Sequence, residues 1–321
     1  MILMIVFLIL GLIFIIKGAD IFVDGIASIA RYFKVSTFVI ALTVVAFGTS
    51  APELAISFTG IINGNDNLVF ANVIGSSIVN ILLILGIASI IHPIKVNNAT
   101  VKKEIPMMVL MYSALVFLYM DNIFTPNMPK SLTRSDGMIL ILFFAGFIYY
   151  LFTIIKNSRE NFDEENNKPV FSKFESVAYT IIGLIMIIIG SNLIVDNSVL
   201  IAESLNVSEK IISITIITIG TSLPEIIMSI VSVKKNEFDF TLGNIIGTNI
   251  FNIGIVLGLP ILICGSIYPT TFNIVDMAVL LSSAVLLLLF ASNDKTISRK
   301  ECVHFIENVR ANKKHTLSPY I

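Results

Sequence analysis

Charged residues are scarce in this chain, and their scarcity decides its class. Only 13% of the 321 residues are Asp, Glu, Lys or Arg, whereas soluble domains carry about 25%. Hydrophobic residues make up 55% of the chain, and the mean hydropathy is +0.90. This composition excludes an ordinary soluble domain. It predicts an all-α polytopic membrane protein, because a helix in lipid satisfies its own backbone hydrogen bonds.

Cysteine and histidine are also rare. The two cysteines, Cys264 and Cys302, are expected near opposite membrane faces, so they cannot pair. The three histidines, at positions 92, 304 and 315, fall in loops or in the tail, which argues against a zinc cluster. The net charge of −1 and the lack of a basic patch interleaved with aromatic residues indicate no nucleic-acid partner. We predict neither an enzymatic activity nor an organic cofactor.

Long apolar runs take the place of charge, and each is close to the ~20 residues that a bilayer requires. The first run lacks a basic leader and a small-residue cleavage site, so it is expected to be a true span rather than a signal peptide. Nine spans are predicted, at 1–33, 37–62, 68–91, 104–120, 136–156, 173–203, 211–233, 240–263 and 274–292.

Basic residues indicate the orientation of these spans. Most of the 21 Lys and Arg residues lie in alternate loops and in the tail, whereas the opposite loops hold only Lys130, Arg134 and Lys210. Cytoplasmic loops carry the excess of Lys and Arg. We therefore expect a multi-pass protein of the cell membrane with its N-terminus outside and its tail in the cytoplasm.

The chain contains an internal repeat with an offset of 172 residues and no gap. Five spans separate equivalent positions, an odd number, so the two copies enter the membrane in opposite orientations. Inverted-topology repeats are typical of secondary transporters. The predicted organisation is a first repeat at 1–156, a cytoplasmic linker at 157–172, a second repeat at 173–292 and a basic cytoplasmic tail at 293–321.

The same short segment, Gly-Thr-Ser-x-Pro-Glu, occurs at 48–53 and at 220–225. Each copy places a glutamate, Glu53 or Glu225, inside an apolar span, where an ionisable side chain is costly and usually functional. The proline removes one backbone N–H and predicts a kink or break in the helix. Each copy therefore offers a carboxylate, two hydroxyls and unpaired carbonyls, which are all hard oxygen donors.

The following span of each half adds polar side chains at helical spacing. The first set is Asn72, Ser76 and Asn80, and the second is Asn244, Thr248 and Asn252. The four segments contain two glutamates and no Lys or Arg. A buried carboxylate without a partner takes a proton or binds a cation. Two carboxylates among neutral oxygens suit Ca²⁺, and several Na⁺ ions suit the same oxygens. A protonated pair of glutamates between packed helices is the structural alternative.

Two further acidic residues, Asp20 and Asp24, share one face of the first span. Their repeat counterparts are Asn192 and Asp196. Because these positions lie towards the ends of their spans, we expect an interfacial or packing role rather than ion binding.

These motifs resemble the sodium/calcium exchanger family of the calcium/cation antiporter superfamily. Each Gly-Thr-Ser-x-Pro-Glu segment is followed by (Ala/Gly)-Asn-x-Ile-Gly-(Ser/Thr)-(Ser/Asn)-Ile, from Ala71 and from Gly243. The resemblance implies ten helices, with the second, third, seventh and eighth broken and the long first and sixth sliding. It implies side-chain ligands at Thr49, Ser50, Glu53, Ser76, Asn80, Thr221, Ser222, Glu225, Thr248 and Asn252, and backbone carbonyls at Ala46 and Thr218.

Two departures from the family pattern concern coupling and length. Asn252 stands where well-studied members carry Asp, which bears on proton sensitivity, Na⁺ stoichiometry and any K⁺ requirement. The tenth helix is not found, because 293–321 is polar and basic.

The leading hypothesis is a Ca²⁺/Na⁺ antiporter that works by alternating access in the lipid bilayer. The alternatives are H⁺- or K⁺-coupled cation antiport and, from other classes, a passive cation channel or a membrane scaffold. The oligomeric state stays open, and a monomer is allowed.

Overall fold

The computed structural model describes residues 2–121, 130–160, 169, 171–205, 220, 222–293 and 295–297. Within these residues the protein is a bundle of helices. The helices are α1 (Ile2–Phe33), α2 (Thr37–Ile40), α3 (Ala46–Thr49), α4 (Ala51–Ile62), α5 (Asp66–Val79), α6 (Leu85–Ile91), α7 (Ile105–Tyr119), α8 (Arg134–Glu160), α9 (Lys173–Ser204), α10 (Leu223–Lys234), α11 (Phe238–Phe251), α12 (Gly258–Cys264) and α13 (Ile274–Ser292).

Several of these helices are joined end to end by π-helical turns. The π segments are Ala41–Val45, Asn80–Ile84, Thr100–Glu104 and Asn252–Leu257. Three of them connect two helices without a loop, so α2 leads to α3, α5 to α6 and α11 to α12. The fourth, Thr100–Glu104, directly precedes α7. A π turn holds one more residue than an α turn, and such turns are frequent at functional sites.

Among the described residues, six helices are long and apolar enough to cross a membrane, and the bent pair 37–49 and 51–62 adds a seventh. Two of the nine predicted spans, at 104–120 and at 211–233, are not among these seven. The run at 104–120 forms the 15-residue helix α7, preceded by a π turn. The first part of the run at 211–233 lies outside the described residues, and α10 is its second part.

The two longest helices, α1 and α9, pack against each other through glycines. A Cβ on Gly11 would lie 2.8 Å from the carbonyl oxygen of Gly190, and one on Gly183 would lie 2.7 Å from that of Gly18. The missing side chains let the backbones approach closely, which is how membrane helices commonly associate. The repeat offset relates these two crossings, so the α1–α9 pair is itself built symmetrically.

One end of the bundle carries Lys95, Lys173 and Lys235, and we call it the basic face. Here the Lys173 ammonium lies 5.6 Å from the centre of the Tyr32 ring. A short strand, β1 (Ile94–Lys95), pairs in antiparallel fashion with β2 (Thr296–Ile297) from the start of the predicted tail. These four residues form the one sheet in the described structure, so the all-α prediction is confirmed.

Candidate cation site

The first repeated motif forms a broken helix, as the sequence predicts, and the second motif ends in the first turn of α10. The span at 37–62 breaks at Ser50, between α3 and α4, and the two parts are bent by 43°. Pro52 lies in the first turn of α4 and Pro224 in the first turn of α10, where a missing N–H costs nothing. Each glutamate follows its proline. Glu53 and Glu225 are both 2% exposed, so both carboxylates are buried at helix N-termini, where the backbone dipole favours negative charge.

Contacts between the two repeats bring the site together. The carboxylates of Glu53 and Glu225 lie close enough to repel each other. The Thr49 side chain, from the first repeat, interacts with the Glu225 carboxylate of the second. The amide Nδ2 of Asn252 donates a hydrogen bond of 3.1 Å to Ser76 Oγ, again across the repeats. These contacts bring Thr49, Glu53 and Ser76 of the first repeat against Glu225 and Asn252 of the second.

Many polar atoms of this centre are buried without a hydrogen-bond partner among the described residues. Glu225 lies beside Thr49 but receives no hydrogen bond of normal geometry. The other unpartnered atoms in the predicted ligands and stripes are Ser50 Oγ, Glu53 Oε2, Asn72 Nδ2, both amide atoms of Asn80, both of Asn244, Thr248 Oγ1 and Asn252 Oδ1. A buried polar atom without a partner is costly, so this cluster of oxygens fits a hard cation.

Four of the implied ligands, at Ala46, Thr218, Thr221 and Ser222, differ in how far the structure describes them. The carbonyl of Ala46 accepts hydrogen bonds from the backbone N–H of Ser50 at 3.1 Å and from Thr49 Oγ1 at 3.4 Å, so it is engaged within its own helix in this structure. Thr218 and Thr221 lie outside the described residues. Ser222 is described and buried, 1% exposed, at the start of α10.

Two further pairs of buried polar residues lie near the predicted ligands in the chain and were not singled out by the sequence analysis. Ser57 and Ser229 lie one turn after the two glutamates, and both hydroxyls are buried without a described partner. Ser77 and Asn249 follow Ser76 and Thr248 and are also buried. The repeat offset gave a usable signal, because 57 aligns with 229 and 77 with 249, and each position is polar in both copies.

Comparison with known proteins identifies the family. Residues 3–153 and 175–306 match the family described as sodium/calcium exchanger protein. The chain belongs to that family. An uncharacterized membrane protein of Methanocaldococcus jannaschii is 37% identical over 94% of this chain and 93% of its own length. The sodium/calcium exchanger MaX1 of Methanosarcina acetivorans is 31% identical over 92% and 93%.

A solved structure extends the comparison to the whole fold. The sodium-calcium exchanger NCX_Mj, soaked with Na⁺ and Sr²⁺, superimposes with a TM-score of 0.82 at 36% identity, covering 98% of both chains. The present chain is thus a multi-pass membrane antiporter of the exchanger type, and the predicted all-helical fold class is confirmed.

One side of the exchanger's site opens into a cavity. The cavity has a volume of about 320 Å³ and lies between α9 and the two motifs, which touch where Ser191 Oγ donates a hydrogen bond of 2.9 Å to the Gly220 carbonyl. From the site it is lined by Thr49, Pro52, Ala55, Ile56, Gly220 and Pro224, and from α9 by Leu184, Ile187, Ile188, Ser191, Asn192 and Val195. Because α9 starts at the basic face, these residues place the cavity in the middle and the far half of the bundle.

The equivalent place in the other half of the exchanger is closed. The repeat offset relates Ile56 to Met228, Ser191 to Ala19 and Val195 to Val23. Instead of lining a cavity, the second set packs into an apolar cluster with Phe22, Ile26 and Phe240, in which each of these side chains is at most 2% exposed. Among the described residues, the cavity therefore lies beside the motifs on the side away from the basic face, and the apolar cluster lies on the basic side.

Proposed function

We propose that this exchanger moves Ca²⁺ in exchange for Na⁺ by alternating access to one central site. The observation that carries the proposal is the pair Glu53 and Glu225, buried together with no Lys or Arg in the four segments around them. The proposed ligands are the side chains of Thr49, Ser50, Glu53, Ser76, Asn80, Thr221, Ser222, Glu225, Thr248 and Asn252, with the backbone carbonyls of Ala46 and Thr218.

The chemistry of these donors favours a hard cation. Ca²⁺ takes six to eight oxygen ligands in a flexible geometry, and the site offers carboxylate, hydroxyl and amide oxygens only. Soft metals prefer thiolate or imidazole, which these positions lack. Two negative charges are balanced by one Ca²⁺ or by more than one Na⁺, so the two ions compete for the same carboxylates. That competition couples their movements in opposite directions.

The open cavity and the closed apolar cluster support alternating access. They occupy positions that the inverted repeat makes equivalent, yet only one of them is open. If the two halves of the protein exchanged conformations, the cavity would close and the cluster would part. The site would then face the opposite side of the membrane.

The orientation follows from the basic face. By the excess of Lys and Arg, the basic face is proposed to be cytoplasmic, the N-terminus outside and the tail at 293–321 inside. The proposed organisation keeps 1–156 and 173–292 as the two repeats, joined by a linker at 157–172. In this orientation the cavity lies on the outer side of the site and the apolar cluster on its cytoplasmic side.

Ion exchange in proteoliposomes tests the proposal. An outward Na⁺ gradient should drive uptake of ⁴⁵Ca²⁺, and Glu53→Gln or Glu225→Gln should lower uptake by about 10- to 150-fold or more, the cost of losing one interaction with a charged group. Glu104→Gln is the matched control. Glu104 is buried, 2% exposed, and bonded to Tyr150 away from the site, so its replacement should retain uptake. Full uptake by either site variant would refute the assignment.

The same vesicles separate the proposed coupling from its alternatives. Uptake that needs Na⁺ on the opposite side identifies an exchanger, whereas uptake without any counter-ion identifies a channel. A proton gradient or K⁺ that replaces the Na⁺ gradient would identify H⁺- or K⁺-coupled transport.

A further inference from the structure

The side chain of Lys235, at the C-terminus of α10, forms ion pairs with two aspartates on α1. We propose that Lys235, Asp20 and Asp24 form a latch that holds the basic side of the exchanger closed and is present in only one of its two conformations. This inference rests on the proposed alternating access. It assigns to Asp20 and Asp24 a conformational role rather than a place in the ion site.

The geometry of the latch is specific. Lys235 Nζ lies 2.8 Å from Asp20 Oδ1 and 2.6 Å from Asp24 Oδ1. The same nitrogen donates a hydrogen bond of 2.7 Å to the backbone carbonyl of Asp20. All three donor positions of the ammonium therefore point to α1. Hydrogen bonds between charged groups are stronger than neutral ones, and the Lys235 side chain is 23% exposed, which limits screening by water.

The latch covers the closed apolar cluster. Asp20 and Asp24 are one turn apart on α1 and directly follow Ala19 and Val23, which belong to the cluster. Lys235 is the residue that caps the C-terminus of α10, and this helix contributes Met228 to the same cluster. Separating α1 from α10, which is required to open the site towards the basic face, would break all three contacts of the ammonium.

The surrounding charges are mixed. Arg31 and Asp24 both act electrostatically on Glu237, which lies two residues beyond Lys235. Lys235 is thus the cation that bridges Asp20 and Asp24 in the described structure, while Arg31 balances Glu237 beside it.

The other repeat has the same backbone here but not the same charges. Lys235 aligns with Asn63, Asp20 with Asn192 and Asp24 with Asp196. Lys235 and Asn63 each cap the C-terminus of their helix, and the next residue has a positive φ in both, 61° at Asn236 and 70° at Gly64. When the far side closes, this backbone would bring an amide rather than an ammonium to Asn192 and Asp196. The latch therefore favours closure of the basic side alone.

Thiol labelling measures the opening directly. Met228→Cys, in a chain with Cys264→Ala and Cys302→Ala, places a thiol in the closed cluster, where Met228 is fully buried. Lys235→Gln should raise its labelling by a membrane-impermeant thiol reagent about two- to thirtyfold, the combined effect of two partly exposed ion pairs. Asp24→Asn should raise it less. Lys234→Gln, at the exposed neighbouring lysine, removes the same charge and should leave the rate unchanged.

Two further variants keep the test decisive. Met108→Cys, fully buried in α7, should stay unlabelled with Lys235→Gln, because the latch opens one interface and does not unfold the protein. Lys235→Arg should restore slow labelling. Unchanged labelling in Lys235→Gln, or an equal rise in Lys234→Gln, would overturn the latch. Because labelling requires no transport, the result is independent of whether Ca²⁺/Na⁺ exchange is found.

Discussion

The two repeats of this protein match in their helix contacts and differ in the space beside their motifs. The glycine crossings of α1 and α9, the helix starts before Pro52 and Pro224 and the two glutamates occur in equivalent pairs. Beside these pairs, the described residues line a cavity in one half and pack into an apolar cluster in the other. The comparison teaches that the repeat builds the scaffold and places both glutamates, whereas the proposed latch rests on side chains that the repeat does not preserve.

A smaller difference lies within the site itself. Asn252 donates to Ser76 across the repeats, but the equivalent pair, Asn80 and Thr248, makes no such bond in the described structure. One half of the centre is therefore tied by a direct hydrogen bond across the repeats, whereas the amide of Asn80 and the hydroxyl of Thr248 have no partner among the described residues.

The strongest test of the symmetric part concerns the glycine crossings. Gly11→Ala and Gly183→Ala each force a Cβ to within 3 Å of a backbone oxygen on the other helix. Overpacking of this kind costs about 1–3 kcal/mol, and the two variants should lose equal stability because their contacts are equivalent. Thermal unfolding in detergent measures the loss. Gly146→Ala, with open space around it, is the control, and unequal losses would show that the crossings are not equivalent.

The hydrogen bond at Asn252 predicts an intermediate effect. In the absence of Ca²⁺, Asn252→Ala should destabilise the protein by about 0.5–1.5 kcal/mol more than Asn80→Ala, the net contribution of one hydrogen bond. Both variants should lose part of the stabilisation that added Ca²⁺ gives, since both remove a proposed ligand. Unfolding midpoints with and without Ca²⁺ measure the two effects. Equal losses without Ca²⁺ would contradict the asymmetry.

The smallest expected effect comes from copying the latch to the other side. The double substitution Asn63→Lys with Asn192→Asp creates the charges that this side lacks, next to the existing Asp196. An exposed ion pair contributes about 0.2–1 kcal/mol, so the protein should shift modestly towards closure of the far side. The readout is faster labelling at Met228→Cys in the cysteine-free chain. Slower labelling would mean that the two sides do not open in alternation.

Much of this architecture could be predicted from the sequence. Apolar runs of spanning length, the gap-free repeat and the prolines at Pro52 and Pro224 predict the helices and their breaks, because each signal reflects a local physical constraint. The convergence of both halves on one centre follows from the inverted repeat, and the contacts of Thr49 with Glu225 and of Asn252 with Ser76 agree with it.

Other features depend on packing that local patterns do not encode. The π turn that begins at Asn80 contains no proline or glycine, so composition gives no sign of it, whereas the turn that begins at Asn252 contains Gly254 and is followed by Gly258 and Pro260. The partner of Asp20 and Asp24 lies more than 200 residues away in the chain, at Lys235. The engagement of the Ala46 carbonyl within its helix depends on how far the break at Ser50 opens, which the sequence does not determine.

The π turns decide which side chains share a face in two of the spans. Asn80 and Asn252 each begin a turn with an additional residue, and the helix continues on the far side of it. Because the turn takes up that residue, the side chains before and after it keep the register of an α-helix that is one residue shorter. If the same sequence continued as an ordinary α-helix, every following side chain would lie about 100° further round the axis. In these spans, the alignment of the polar residues on either side of Asn80 and Asn252 therefore depends on the π turn.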